Sequence, residues 1–268
     1  MKLLNHELKL SISLDEKTCV NAKAFSAAGY EAAECDLPVD YFAPVDLSIF
    51  PPFLEKVCPA IEEAGLRITT FHLPFGTFWD ISSPDEAVRT AAVAASAELL
   101  KMLAPYAGEN IVVHPSFEPI AEEAREAHIA ACRKSLAELG PIAAKCGKKI
   151  ALENLPRTCL GRTSEEMVRL TDGGALCGVC MDTTHMFHET PQQYMQRCGK
   201  WIINTHLSDY LNGQNECHWV PGTGSLNWKE ILQNLIDLGY AGTYNFEVSK
   251  YAPLEILGGL KNAIGEHV

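Results

Sequence analysis

Long apolar runs are absent. The 268-residue chain has no stretch of the roughly 18 apolar residues that a membrane helix needs. The longest candidate, 87–100, is alanine-rich and is broken by Arg89, Ser96 and Glu98. No membrane partner is expected. Basic residues are scarce: 22 Lys and Arg stand against 34 Asp and Glu, a net charge of −12. That balance favours solubility and argues against a nucleic-acid partner, which needs a basic face. Neither a Walker-type nor a dinucleotide-binding glycine fingerprint occurs, and the PGTG at 221–224 is too short to serve as one. With only 19 Gly and 15 Pro, the chain is neither collagen-like nor of low complexity. Glu7 and Lys9 interrupt the apolar start, so no export signal is expected. The ten cysteines are scattered, several in apolar runs (Cys35, Cys177, Cys180), which points to reduced thiols in a cytoplasmic protein. Cys177 and Cys180 form a CxxC inside an expected strand. Positions i and i+3 of a strand face opposite sides, so no redox or zinc role is assigned to them.

What the chain does have is alternation. Short runs rich in β-branched and aromatic residues predict strands over 8–14, 32–37, 67–73, 110–115, 149–154, 176–182, 201–207 and 243–248. Helical periodicity predicts helices over 18–28, 52–64, 84–103, 120–146, 164–170, 191–198, 228–238 and 253–264. Ser83-Pro84-Asp85-Glu86 and Thr163-Ser164-Glu165-Glu166 read as helix starts, and Gly29, Gly65, Gly147 and Gly239 as C-terminal caps. The charges of 122–134 read as a solvated helix face. No linker interrupts this order, so residues 1–268 are expected to form a single domain. Eight strand–helix alternations in such a length predict an α/β fold, a single (βα)8 TIM barrel. An open doubly wound sheet would be expected to carry a phosphate fingerprint.

A TIM barrel places its chemistry at the C-terminal ends of the strands. Strands three to eight end in FHLP, VHP, LEN, MDTTH, THLSD and FEV. They supply His72, His114, Glu153, Asp182 with His185, His206, and Glu247; the loop after the seventh adds Glu216 and His218. One such residue is a solvated loop residue by default. Six strands in series, several ending apolar runs such as IALE and VCMD, indicate a cation site, because a carboxylate buried alone is very costly. Glu153, Asp182, His206 and Glu247 offer three carboxylates and an imidazole. That set suits Mn²⁺, Mg²⁺ or Co²⁺, with histidine drawing towards Zn²⁺, and the lack of thiolates marks a catalytic metal.

The series HLPF, HPS, ENLP, MDTTH, HLSD, HWVPGTG and NFEV resembles the xylose isomerase-like superfamily of TIM barrels, over strands three to eight. Within it the chain looks most like the sugar-phosphate isomerase/epimerase group, which includes the ketose 3-epimerases. The resemblance implies one divalent ion, Mn²⁺ first, on Glu153, Asp182, His206 and Glu247. It also implies that Glu153 and Glu247 are the catalytic, proton-transferring pair, and that the basic residue of HWVPGTG, His218, faces the substrate. His72, His114, His185 and Glu216 are then expected to line the substrate site. The implied partner is a small sugar or sugar phosphate, with homo-oligomerisation left open.

The AP endonucleases of the same superfamily use three zinc ions. Their ligands trace onto His72, His114 and Glu153, then Glu153, Asp182, His206 and Glu247, then His185, Glu216 and His218. They carry Asp where this chain has Glu216, and the longer side chain is expected to spoil the third site. An endonuclease-like phosphoesterase, an inosose dehydratase-like lyase and a non-catalytic sugar-binding barrel are the alternatives. Phe75, Phe78 and Trp79 are read either as a minor cluster or as a pocket wall. Arg157 and Arg162 are read either as solvated or as holders of an anionic substrate group.

Overall fold

In a computed structural model that describes residues 1–211 and 216–266, the parallel strands are β1 (Leu10–Leu14), β2 (Ala32–Asp36), β3 (Arg67–His72), β4 (Asn110–Val113), β5 (Lys149–Glu153), β6 (Gly178–Asp182), β7 (Ile202–His206) and β8 (Tyr244–Phe246). Seven parallel pairings join them in the order β8-β1-β2-β3-β4-β5-β6-β7. The ring is completed just past the β7 end, where Leu207 bridges Phe246 and its N–H donates to Asn245 O at 2.8 Å. The helices between them are α1 (Ala22–Ala27), α2 (Phe50–Glu63), α3 (Glu86–Leu103), α4 (Arg125–Lys145), α5 (Ser164–Thr171), α6 (Pro191–Cys198), α7 (Trp228–Asp237) and α8 (Pro253–Ile264). This is the expected TIM barrel.

The strand period of two makes both layers. One set of positions, such as Leu10, Ile12 and Leu14 of β1, Ile150 and Leu152 of β5, and Val179 and Met181 of β6, faces the helices and forms the main apolar core. The other set points into the barrel and is small or polar: Ser11 and Ser13, Glu34, Thr70, Cys180, Asn204 and Asn245, all buried. One repeat further along the same faces come the strand-end residues His72, Glu153, Asp182, His206 and Glu247. The face that fills the barrel is thus the face that presents the site.

Helix ends follow local chemistry. Thr163 caps α5 by accepting from Glu166 N, as expected. The α3 cap is Asp85 and not Ser83, because its carboxylate accepts from both Ala87 N and Val88 N. Helix α4 starts at Arg125 after a 3₁₀ turn, Glu122–Ala124. Arg125 corrects the expectation of a solvated face. It is buried, donating to both oxygens of Glu166 at 2.6 Å and to the carbonyls of Thr158 and Cys159. An N-terminal hairpin, Lys2–Leu3 with His6–Glu7, was not expected. Its turn residues Leu4 and Asn5 both have positive φ, and leucine gives no sequence signal for such a turn. Among the described residues, the ten cysteines form no disulfide. Among the described residues no helix is long and apolar enough to cross a membrane.

Candidate active site

Four side chains from four consecutive strand ends converge on one point. His206 Nδ1 lies 3.1 Å from Glu153 Oε1, 3.6 Å from Glu247 Oε2 and 3.8 Å from Asp182 Oδ2. Ligands about 2.1 Å from a tetrahedral ion stand about 3.4 Å apart, close to the distances His206 Nδ1 keeps to the three carboxylates. Glu153, Asp182 and His206 form one group with ligand atoms within 4.8 Å of one another, and Asp182 and Glu247 form a second with His218. The remaining atoms are tied down behind it. Asp182 Oδ1 accepts from Thr184 N (2.6 Å), Thr184 Oγ1 (2.9 Å) and His185 N (3.2 Å), which leaves Oδ2 to face the centre. Asn154 fixes the strand end by accepting from Asp182 N and donating to its carbonyl. Asp182 Oδ2 and Glu247 Oε2 are buried atoms with no hydrogen-bond partner. Two buried carboxylate oxygens without a hydrogen bond, both facing one imidazole nitrogen, fit a divalent cation, which would offset their desolvation beyond what the neighbouring imidazoles supply.

The other expected residues surround this centre. His72 Nε2 and His114 Nε2 reach Glu153 Oε2 at 3.2 and 3.0 Å. His185 Nε2 and His218 Nε2 reach Glu216 Oε1 at 3.2 and 3.3 Å, and His218 Nδ1 reaches Glu247 Oε2 at 3.3 Å. Every expected site residue is therefore in one constellation. The length argument against Glu216 does not hold, because its carboxylate meets both histidines. The ring N–H groups of His72 and His185 donate to the carbonyls of Leu73 and Asn154, both at 2.9 Å, so each ring presents Nε2 inward.

The loop that carries His218 is built on Asp209, whose carboxylate accepts from Gly222 N, Leu226 N and Trp228 Nε1. A Cβ on Gly224 would collide with that carboxylate and with the Tyr210 carbonyl, which is why a glycine stands there. The PGTG segment thus has a structural task of its own.

The charges are strongly coupled. Burial pushes Glu153 up, but the imidazoles of His206, His114 and His185 outweigh it and hold Glu153 well below the usual carboxylate range. Burial, with Asp182 and Glu153 nearby, raises Glu247 despite His218 and His206. The two glutamates are thus driven in opposite directions. His218 is raised to about 9, first by Glu247, and His72 to about 9 because Glu153 overrides the effect of burial. His206 and His185 are also raised, the acids around them overcoming burial.

A cavity of about 430 Å³ opens over the cluster, and a second of about 410 Å³ adjoins it, sharing His72, Phe75 and Glu247. Phe75 stacks on His114 at 3.9 Å and forms a wall of both. Trp79 packs instead against Phe50 in the core, and Phe78 is exposed. Arg157 reaches the first cavity, but its guanidinium already pairs with Glu118 (2.6 Å) and Glu216 (2.8 Å); Arg162 pairs with Glu122.

Two functional-face residues escaped the sequence reading, Glu34 and Asp36 of β2. Both are inward carboxylates on a buried strand, and Glu34 Oε1 stands 2.8 Å from His206 Nε2. The signal was there: an acid inside the apolar run AAEC, like the acids of IALE and VCMD.

Comparison with known proteins gives the same picture. D-psicose 3-epimerase of Enterocloster bolteae is 32% identical over 115 residues, 41% of this chain and 36% of the relative. An uncharacterised protein of Methanocaldococcus jannaschii is 32% identical over 186 residues, 66% of this chain and 62% of the relative. Both matches therefore span less than two thirds of the relative. Among crystal structures, a D-tagatose 3-epimerase-like protein superposes with a TM-score of 0.77 at 21% identity, covering 97% of this chain and 99% of that one. The 3-keto-D-glucoside 4-epimerase of E. coli does so with a TM-score of 0.73 at 20% identity, covering 96% and 100%. At such identities the likeness establishes the fold. The family model for the xylose isomerase-like TIM barrel matches residues 22–264, nearly the whole barrel, and the chain belongs to that family.

Proposed function

We propose that this protein is a metal-dependent isomerase or epimerase of neutral sugars, with one divalent ion, Mn²⁺ in first place and Zn²⁺, Mg²⁺ or Co²⁺ after it, held by Glu153, Asp182, His206 and Glu247. The observation that carries this reading is the pair of buried oxygens without a hydrogen bond, Asp182 Oδ2 and Glu247 Oε2, which face His206 Nδ1 beside Glu153 beneath an open cavity. The epimerase names among its relatives support the substrate class.

A divalent ion there would polarise a sugar carbonyl and acidify the neighbouring C–H. Glu153 and Glu247 come from strands three apart and both reach His206 Nδ1. One carboxylate takes the proton from the carbon beside the carbonyl, and the other returns a proton to the opposite face. His218, between Glu216 and Glu247, is placed to hold a sugar hydroxyl. A phosphate is disfavoured: Glu118, Glu153, Glu216 and Glu247 line the first cavity, and its one arginine is paired twice. The test is to incubate the Mn²⁺-loaded protein with ketoses such as D-psicose, D-tagatose and D-fructose in D₂O. Epimer carrying deuterium at the inverted carbon is the expected result; epimer without it overturns the two-carboxylate mechanism.

One observation favours a second reading, a multi-metal phosphoesterase. His72, His114 and Glu153 form one further group whose ligand atoms lie within 4.8 Å of one another, and His185, Glu216 and His218 form another. Three ions per chain in the purified protein together with nicking of abasic-site DNA would establish it; one ion and no nicking sustain the sugar reading.

A further inference from the structure

We infer that Glu34 is a positioning residue for the metal site: it engages Nε2 of His206 from beneath and so commits Nδ1 to the ion. The inference rests on the reading of His206 as a metal ligand. Glu34 sits on β2, one inward repeat before the strand end, and is fully buried. Its Oε1 lies 2.8 Å from His206 Nε2, a short but bent contact. No aligned hydrogen-bond partner is present at that nitrogen. On the opposite edge of the same ring, Nδ1 faces Glu153, Asp182 and Glu247. An imidazole between two sets of acids can serve a metal with only one nitrogen, and the proton on the other decides which.

The surroundings of Glu34 hold its carboxylate in place. Oε2 accepts from Asn204 Nδ2 at 2.9 Å; Oε1 accepts from Ser13 Oγ at 3.2 Å and Asn245 Nδ2 at 3.4 Å. Asn245 also donates to Ser13 Oγ at 2.8 Å, and Thr70 Oγ1 donates to Asn204 Oδ1 at 3.1 Å. These side chains come from β1, β3, β7 and β8, so a belt of the barrel interior is given over to polar groups that support one acid. Ser13, Asn204 and Asn245 each present a donor to it, as a buried carboxylate requires. A barrel interior filled only by apolar side chains would pack as well without this acid. Its place under His206 is that of the outer-shell carboxylate that fixes the tautomer of a metal-binding histidine.

The test reads the metal and the ring, without sugar. In Glu34→Gln the Co²⁺ dissociation constant, measured by chelator competition, should rise about 10–100-fold, and the visible Co²⁺ spectrum should change. A merely structural role would lower the melting temperature of the metal-free protein and leave the affinity and the spectrum as in wild type, and that outcome overturns the inference. Should the variant not fold, the wild type decides. In the Zn²⁺-loaded protein, long-range ¹H–¹⁵N spectra of labelled histidine should show His206 protonated at Nε2 and ligated at Nδ1; a proton on Nδ1 refutes it. Both readouts stand apart from the deuterium experiment, so failure to epimerise sugars and failure of Glu34 to orient His206 are distinguishable.

Discussion

Replacing each glutamate of the proposed pair by glutamine separates catalysis from stability, because their surroundings differ. Glu153 is enclosed by four imidazoles: His72 and His114 meet Oε2, and His206 and His185 meet Oε1 at 3.1 and 3.4 Å. Its side chain is 2% exposed. Taking one partner from a buried ion pair costs about 3–5 kcal/mol, so Glu153→Gln should lower the melting temperature of the metal-free protein markedly. Glu247 is the opposite case. Its side chain is 29% open to the cavity, and burial with two nearby carboxylates raises it. An amide there removes a disfavoured charge but also the acid partner of His218, so Glu247→Gln should lower the melting temperature far less than Glu153→Gln does. Both variants should nonetheless lose turnover. Loss of a positioned base costs about 10²–10⁴ in rate, which is about 3–5 kcal/mol of transition-state stabilisation, and weakened metal binding adds to it. The assay pairs thermal melting of the metal-free variants with steady-state kinetics at saturating Mn²⁺. Glu247→Gln is decisive: a stable, metal-loaded variant that keeps more than about a tenth of wild-type kcat removes Glu247 from the proton transfer.

Arg157→Met should change KM for a neutral sugar by less than about threefold, since the guanidinium is already paired with Glu118 and Glu216; loss of binding would show that it contacts substrate. Arg125→Met should cost about 3–5 kcal/mol in a denaturant titration, as it strands the buried Glu166 and frees the Thr158 and Cys159 carbonyls; a change below about 1 kcal/mol would refute that view of the loop. The histidines give a pH signature. His72 and His218 are raised to about 9, so the stability their ion pairs lend the metal-free protein is complete below about pH 6.5 and is lost as pH rises through about 9. Its melting temperature should therefore fall across that window. Loading with Mn²⁺ at pH 7.5 should release at least one proton per ion from His206, read with an indicator dye in weak buffer; no release would show that His206 is neutral beforehand.

The barrel and most of the site were legible in the sequence because both follow from periods. Apolar runs spaced by amphipathic helices define β1–β8, and a residue's place in its strand tells which face it takes. Strand ends written HLP, HP, LEN, MDTTH, HLSD and FEV therefore had to gather at one rim once the ring closed, and they did. Boundaries slipped by a few residues: α3 is capped by Asp85 because a carboxylate two residues later reaches two N–H groups, which Ser83 does not. Tertiary structure alone decided the rest. Arg125 looks like any exposed helix charge until α5 sets Glu166 beside it. Arg157 looks like an anion holder until Glu118 and Glu216, 39 and 59 residues away, take up its charge. Glu34 looks like a stray acid in a strand; only closure of the barrel brings β2 under β7 and sets its carboxylate against His206. A period says which way a side chain points. What it meets across the barrel depends on strand register and ring closure, which are properties of the assembled sheet.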